Sequence, residues 1–264
     1  MDAPQNALNK ALTLHGQGKF DEAIVEYQQI RRRHPGDQTV AANLASALIR
    51  TGKFDDGLAL YEELTSRSDQ QPELWFNYAN ALQRAGQLAK SQQTFERTLQ
   101  VAPKFFPAAL NLANLVRDIG SDETAVELYR RAIALNCQHP KPRVNLARLL
   151  RRQKRYIETL AVLSDGISAE NQSVELLYER AILGYETGET DAALNTARQI
   201  LTIQPSYGNA YTLIGLVEYE QGNVDTAVRC WNELAKLEPN NPEPHINLGT
   251  LRQKEYRPEQ AVRH

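Results

Sequence analysis

Gly18-Lys19-Phe20-Asp21-Glu22-Ala23 and Gly52-Lys53-Phe54-Asp55-Asp56-Gly57 stand 34 residues apart and share one pattern, a glycine, a lysine, a phenylalanine, two acids and a small residue. Gly86, Gly120, Gly188 and Gly222 fall on the same lattice, which passes through Lys154 and Tyr256 without insertion or deletion. A fixed period of this length marks a chain made of one supersecondary unit repeated many times, each unit unable to bury its apolar face alone. Repeats so defined begin at residues 4, 38, 72, 106, 140, 174, 208 and 242. One repeat domain over residues 1–264 is therefore expected, with seven full repeats and a truncated eighth.

The eighth position of the successive repeats reads Ala11, Ala45, Ala79, Ala113, Ala147, Ala181, Gly215 and Gly249, and every one is small. The twentieth position is also mostly small, whereas the twenty-fourth carries Tyr27, Tyr61, Phe95, Tyr129, Leu163, Ala197 and Trp231. Two helices approach closely only where one offers a small side chain to the other's bulk, so this alternation specifies a helix pair with a fixed contact. Apolar residues at spacings of three and four within Val40 to Leu48, Ala108 to Val116 and Val144 to Leu150 favour helix over strand. The lattice glycine ends the first helix in a left-handed conformation. Pro35, Pro103, Pro205 and Pro239, at the thirty-second position, stop the second. The expected fold is all-α, with each repeat a helical hairpin.

In these residues the chain resembles the tetratricopeptide repeats, whose small residues at eight and twenty, aromatic near twenty-four and proline at thirty-two recur over residues 4–264. Repeat 5 departs most, with Lys154, Thr159, Gly166 and Asn171. The resemblance implies a right-handed superhelical solenoid whose first helices line a concave groove.

At about 100° per residue, positions 2, 6, 9 and 13 of the first helix share the face opposite its packing positions. The sixth position reads Asn9, Asn43, Asn77, Asn111, Asn145, Glu179, Leu213 and Asn247, and Asn80 and Asn114 add amides at the ninth. Helix propensity does not explain this choice, while an amide both donates to and accepts from an extended peptide backbone. The row resembles the asparagine ladder in the repeat region of the O-linked N-acetylglucosamine transferases, which implies a sequence-tolerant grip on extended polypeptide. Charges are zoned on the same stripe. Arg50, Arg84 and Arg152 occupy position thirteen with Arg117 and Arg151 beside it, and Lys141 and Arg148 of repeat 5 face Glu175, Glu179 and Glu186 of repeat 6. The zones could orient a bipolar peptide, or adjacent repeats could neutralise each other's charges. Leu213 and Leu216 form an apolar break in the row, either a docking pocket or a capping contact.

The carboxylate clamp of chaperone-binding relatives is missing, since position five, from Leu8 to Ile246, has no lysine. Composition narrows the field further. With 42% hydrophobic residues, 30 basic against 32 acidic side chains and a net charge of −2, bulk charge gives no footprint for nucleic acid, which is not expected as a partner. No stretch approaches about 18 apolar residues, and Met1 to Asn6 lacks a basic region before an apolar core, so no membrane partner and a cytoplasmic location are expected. Cys137 and Cys230 fit reduced, structural thiols. The five histidines are scattered, and Cys137-Gln138-His139 reads as turn chemistry, so no metal, cofactor or catalytic set is expected. Gly16-Gln17-Gly18 reads as a helix end, and Asn171-Gln172-Ser173 matches a glycosylation acceptor only formally.

The reading is a non-enzymatic scaffold that binds an extended peptide or disordered segment of a partner protein. The alternatives are a substrate-recruiting region of a larger enzyme such as a glycosyltransferase, and a self-assembling structural unit. Repeat 8 stops at Ala261-Val262-Arg263-His264, partway through its second helix, from which either a longer chain or self-association through that end is expected.

Overall fold

The structure, a computed structural model, describes residues 3–68, 70–167 and 172–256. Among the described residues there are fifteen helices and no strand. The first helices of the hairpins are α1 (Ala3–Gly16), α3 (Gln38–Arg50), α5 (Pro72–Arg84), α7 (Phe106–Asp118), α9 (Pro140–Arg152), α11 (Val174–Glu186) and α13 (Gly208–Glu220). Their partners are α2 (Phe20–Arg33), α4 (Phe54–Arg67), α6 (Leu88–Val101), α8 (Asp122–Leu135), α10 (Tyr156–Ser164), α12 (Thr190–Ile203) and α14 (Val224–Leu237). A last helix, α15, spans Glu243–Tyr256. The starts of α2, α4, α6, α8, α10, α12 and α14 repeat every 34 residues, as the sequence lattice predicts. Ala261–His264 and Asn171 lie outside the described residues.

Local chemistry sets each boundary. Asp37 starts α3 by accepting the Val40 N–H at 3.0 Å, and Ser173 starts α11 by accepting the Leu176 N–H. Pro72 and Pro140 begin α5 and α9, where the missing N–H would have had no intrahelical acceptor anyway. At the other end, α2, α6, α12 and α14 each stop two residues before their proline. Within the hairpins the turn is the same each time. In the second repeat Lys53 N–H donates to the Leu48 carbonyl at 2.9 Å and Gly52 N–H to the Ile49 carbonyl at 3.3 Å, with Gly52 at φ 80°. These two bonds close the helix end and need a left-handed residue between them.

Lys154 takes that conformation without being glycine. Its φ is 59°, and Arg155 N–H still reaches the Leu150 carbonyl at 2.9 Å. The hairpin closure therefore imposes the left-handed geometry on an L side chain, at a local cost of about 1–2 kcal/mol.

Between the two helices of each hairpin runs the expected seam. Ala11, Ala45, Ala79, Ala113, Ala147 and Ala181 are wholly buried, as are Tyr27, Phe95, Tyr129 and Leu163 across from them. Each large seam side chain so buried contributes about 1.5–3 kcal/mol of hydrophobic transfer. In the seventh hairpin the approach is closer still, because a Cβ on Gly215 would stand 2.4 Å from Nε1 of Trp231. Gly249 of α15 has open space at its Cβ position.

The fifth hairpin departs from the pattern with a compensation. Arg143 occupies the fourth position of α9, lies 8% exposed, and donates to the Cys137 carbonyl. Its stem passes Gly166, where a Cβ would meet Arg143 Cδ at 2.5 Å. The glycine makes room for the buried arginine, and α10 stops at Ser164 after nine residues. By its contacts the chain divides into two compact units, Met1–Asn136 and Cys137–His264.

Two substitutions test this account. Lys154→Gly relieves the left-handed strain and is expected to stabilise the chain by about 1 kcal/mol, seen as a higher urea midpoint; a lower midpoint would show the strain argument to be wrong. Gly215→Ala drives a methyl into the indole of Trp231 and is expected to cost about 1–3 kcal/mol, with a red-shifted tryptophan emission as α13 and α14 separate. An unchanged midpoint and spectrum would mean that the seam has slack.

Candidate functional site

The stripe at positions 6, 9 and 13 is delivered by the first helices, and it lines a concavity in the unit Met1–Asn136 between α3 and α5. There α3 contributes Ser46 and Arg50, α5 contributes Asn77, Asn80 and Arg84, and Tyr61 closes the base from α4, around a cleft of about 250 Å³. Arg50 and Arg84 come from the same position of consecutive repeats, which is why one lattice step makes both arginines line one cleft. Both are exposed, and neither has a carboxylate partner among the described residues. The Arg50 guanidinium carbon stands 5.9 Å from the centroid of the Phe20 ring, a cation–π contact that holds the side chain without neutralising it. Its charge also reaches His15, whose pKa is lowered first by burial and then by Arg50.

Asn77 is exposed with its amide unpartnered among the described residues. Asn80 is half-buried and engaged on both sides: its Nδ2 donates to the Phe76 carbonyl at 2.8 Å, and its Oδ1 accepts from Asn111 Nδ2 at 2.8 Å. The Asn80–Asn111 bond joins two repeats through their side chains. Asn114 accepts from the Tyr129 hydroxyl at 2.7 Å, and Asn43 donates to the Thr39 carbonyl of its own helix at 2.9 Å. Arg117 pairs with the adjacent Asp118 at 2.7 Å. In this unit the amides thus carry structural bonds as well as facing outward, and Arg50, Asn77 and Arg84 hold the uncommitted donors.

The unit Cys137–His264 uses the same positions differently. Arg148 donates to Glu179 at 2.6 Å, and Arg151 contacts Glu179 at 3.6 Å while bonding Glu186 as well. Glu179 is 2% exposed. The basic and acidic zones of repeats 5 and 6 therefore meet each other: the ninth and twelfth positions of α9 lie against the sixth and thirteenth of α11. Arg151, beside the stripe in sequence, is the residue that bridges the two glutamates. Arg152 and Asn145 also have partners. Leu213, at the sixth position of α13, is buried in a core with Ala181, Leu194, Ala197, Ile214 and Val217, while Leu216 remains exposed.

Two cleft residues carry no signal in the asparagine row. Ser46 sits at position nine of its repeat and could have been found from the stripe. Tyr61 belongs to the seam by spacing, and only the packing shows that it also lines the cleft beside Ser46. His139 accepts the Lys141 N–H at 3.3 Å at the start of α9, so the Cys137-Gln138-His139 turn is a helix cap. Among the described residues no group of three histidine, cysteine, aspartate or glutamate side chains could hold a metal ion, and no helix is long and apolar enough to cross a membrane.

Paired helices on a 34-residue period, closed by left-handed turns and locked by a small-to-large seam, define a helical-hairpin repeat protein. Models of the tetratricopeptide repeat match residues 14–75 and 48–115, residues 107–187 and residues 215–254, and the chain belongs to that family. No protein of curated function matches it significantly. Among solved structures it is similar to the C-terminal part of a TPR repeat-containing protein from Cytophaga hutchinsonii, at 14% identity and TM-score 0.70, over 91% of this chain and 98% of that one. A tetratricopeptide repeat protein from Parabacteroides merdae matches at 18% identity and TM-score 0.63, over 92% and 96%. YrrB, described as a TPR protein with an unusual peptide-binding site, matches at 13% identity and TM-score 0.54, over 72% of this chain and 97% of that one. At these identities the likeness is one of fold.

Burial pushes the Tyr61 hydroxyl up to about 12, against a smaller opposing effect of the Ser46 hydrogen bond. An unfolded tyrosine ionises near pH 10, so this contribution to stability is complete below about pH 10 and is lost as pH rises toward about 12. Tyr61→Phe removes it, and the fall in stability between about pH 10 and 12 is expected to be shallower by about 2 kcal/mol than in the unaltered chain. Equal slopes in paired urea titrations would show that Tyr61 is not held in its neutral form.

Proposed function

We propose that this protein is a non-catalytic scaffold that binds an extended peptide or disordered segment of a partner protein along the first-helix stripe, with the cleft between α3 and α5 as its anchor. The observation that carries this reading is the set of uncommitted donors on Arg50, Asn77 and Arg84 beside the Asn80–Asn111 rung. An extended backbone presents one carbonyl and one N–H per residue, and only side chains that both donate and accept can follow it without regard to sequence. Asparagine at a fixed position of successive hairpins supplies that at a constant interval. The peptide-binding site named for YrrB, on the same fold, is in keeping with this use. In the unit Cys137–His264 the arginines and glutamates of the stripe engage each other, and Arg117 is paired with Asp118, so the grip is assigned to Asn43, Asn77, Asn80, Asn111 and Asn114 with Arg50 and Arg84.

A library of random twelve-residue peptides displayed on phage, panned against the full chain, provides the test. Selected peptides are expected to bind the Asn77→Ala, Asn111→Ala variant about tenfold more weakly in fluorescence anisotropy, the equivalent of two net hydrogen bonds of about 0.5–1.5 kcal/mol each, with helicity unchanged by circular dichroism. Failure to select any peptide, or selection of peptides indifferent to the variant, would overturn the reading.

A further inference from the structure

We propose that the cleft between α3 and α5 is a subsite for an acidic side chain, aspartate or glutamate, of the bound segment. This inference rests on the peptide-binding reading above and names the chemistry its anchor selects.

The cleft is lined by two arginines, Arg50 and Arg84, and by no carboxylate. Two unneutralised cations lining one opening make it attractive to an anion. Guanidinium is a planar fork that matches a carboxylate with two parallel hydrogen bonds, and the exposed Asn77 amide offers a further donor at the same opening. About 250 Å³ accommodates a carboxylate side chain together with bridging water.

The chain itself shows the complement. In the unit Cys137–His264 the residue at the sixth position of α11 is Glu179 instead of asparagine, and it is met by Arg148 and Arg151 of the preceding first helix. There the stripe's arginines receive a carboxylate from within the protein. In the unit Met1–Asn136 the sixth position keeps its amide, Arg50 and Arg84, at the thirteenth position instead of the ninth and twelfth, have no carboxylate partner among the described residues, and the carboxylate is left for a ligand to bring. Asp118, the acid of this stripe at the thirteenth position of α7, is taken by Arg117.

The display selection above distinguishes this subsite from the peptide-binding reading, because the displayed peptides are fused at their C-termini and only side chains present carboxylates. Selected sequences are expected to be enriched in aspartate and glutamate. In a chosen peptide, one Glu→Gln substitution is expected to weaken binding to the unaltered chain about tenfold, and less than about twofold to the Arg50→Gln, Arg84→Gln variant. The difference should shrink as salt rises from about 50 to about 500 mM. Peptides that bind and respond to Asn77→Ala, Asn111→Ala, yet show no acidic preference or lose equally to both proteins on Glu→Gln, would overturn the subsite and leave the peptide reading standing. Selection of no peptide at all would overturn both.

Discussion

The close approach of two helices at a seam of small against large side chains is the constraint on which everything else depends. Alanine or glycine at the eighth position lets the second helix come near enough to bury a tyrosine, phenylalanine or tryptophan from the twenty-fourth. That contact fixes the rotation of the first helix about its own axis. Once the rotation is fixed, the sixth, ninth and thirteenth positions face away from the partner helix, and one lattice step sets which side chains of the next hairpin they meet. The location of Asn77 and the arginines at one opening thus follows from a seam of alanines and aromatics, of which Tyr61 alone among the position-24 residues also lines the cleft.

The turn and the fifth hairpin show how far the period tolerates deviation. Six lattice glycines adopt positive φ because the double closure of the helix end demands it, and Lys154 adopts it too because the same bonds form around it. The bonds and the seam together outweigh the strain of one side chain. Arg143 and Gly166 make a second kind of exception, in which a bulky buried cation is balanced by loss of the side chain it would have struck. Neither departure shifts the start of the next helix.

The polar stripe has two regimes on one geometry. In the unit Met1–Asn136, where the sixth position carries asparagine, the Asn111 side chain donates a hydrogen bond to Asn80 of the preceding hairpin, and Arg50 and Arg84 at the thirteenth position have no carboxylate partner among the described residues. Where the sixth position carries glutamate, the carboxylate is drawn inward and held by arginines of the preceding hairpin. Glutamate at the sixth position, with arginines at the ninth and twelfth of the preceding hairpin, makes an internal ion-pair cluster where the other unit has amides. Burial of Glu179 is part of that arrangement, since a carboxylate at 2% exposure needs its counter-charges close by.

The sequence by itself determined the hairpin, its period, the seam and the face that carries the asparagines, because these depend on residue size and spacing within some 34 positions and repeat often enough to reinforce one another. Tertiary structure alone decided which stripe residues are committed. Arg148 and Arg50 read alike in sequence as groove cations; whether a carboxylate lies within reach depends on the next hairpin, 31 residues on for the Arg148–Glu179 pair. Likewise Leu213 reads as an apolar break in the stripe, and packing draws it into the core among Ala181, Leu194 and Val217. Spacing dictates which way a side chain leaves its own helix, but its partner is set by the distance and tilt of the neighbouring helix, which are products of the assembled core.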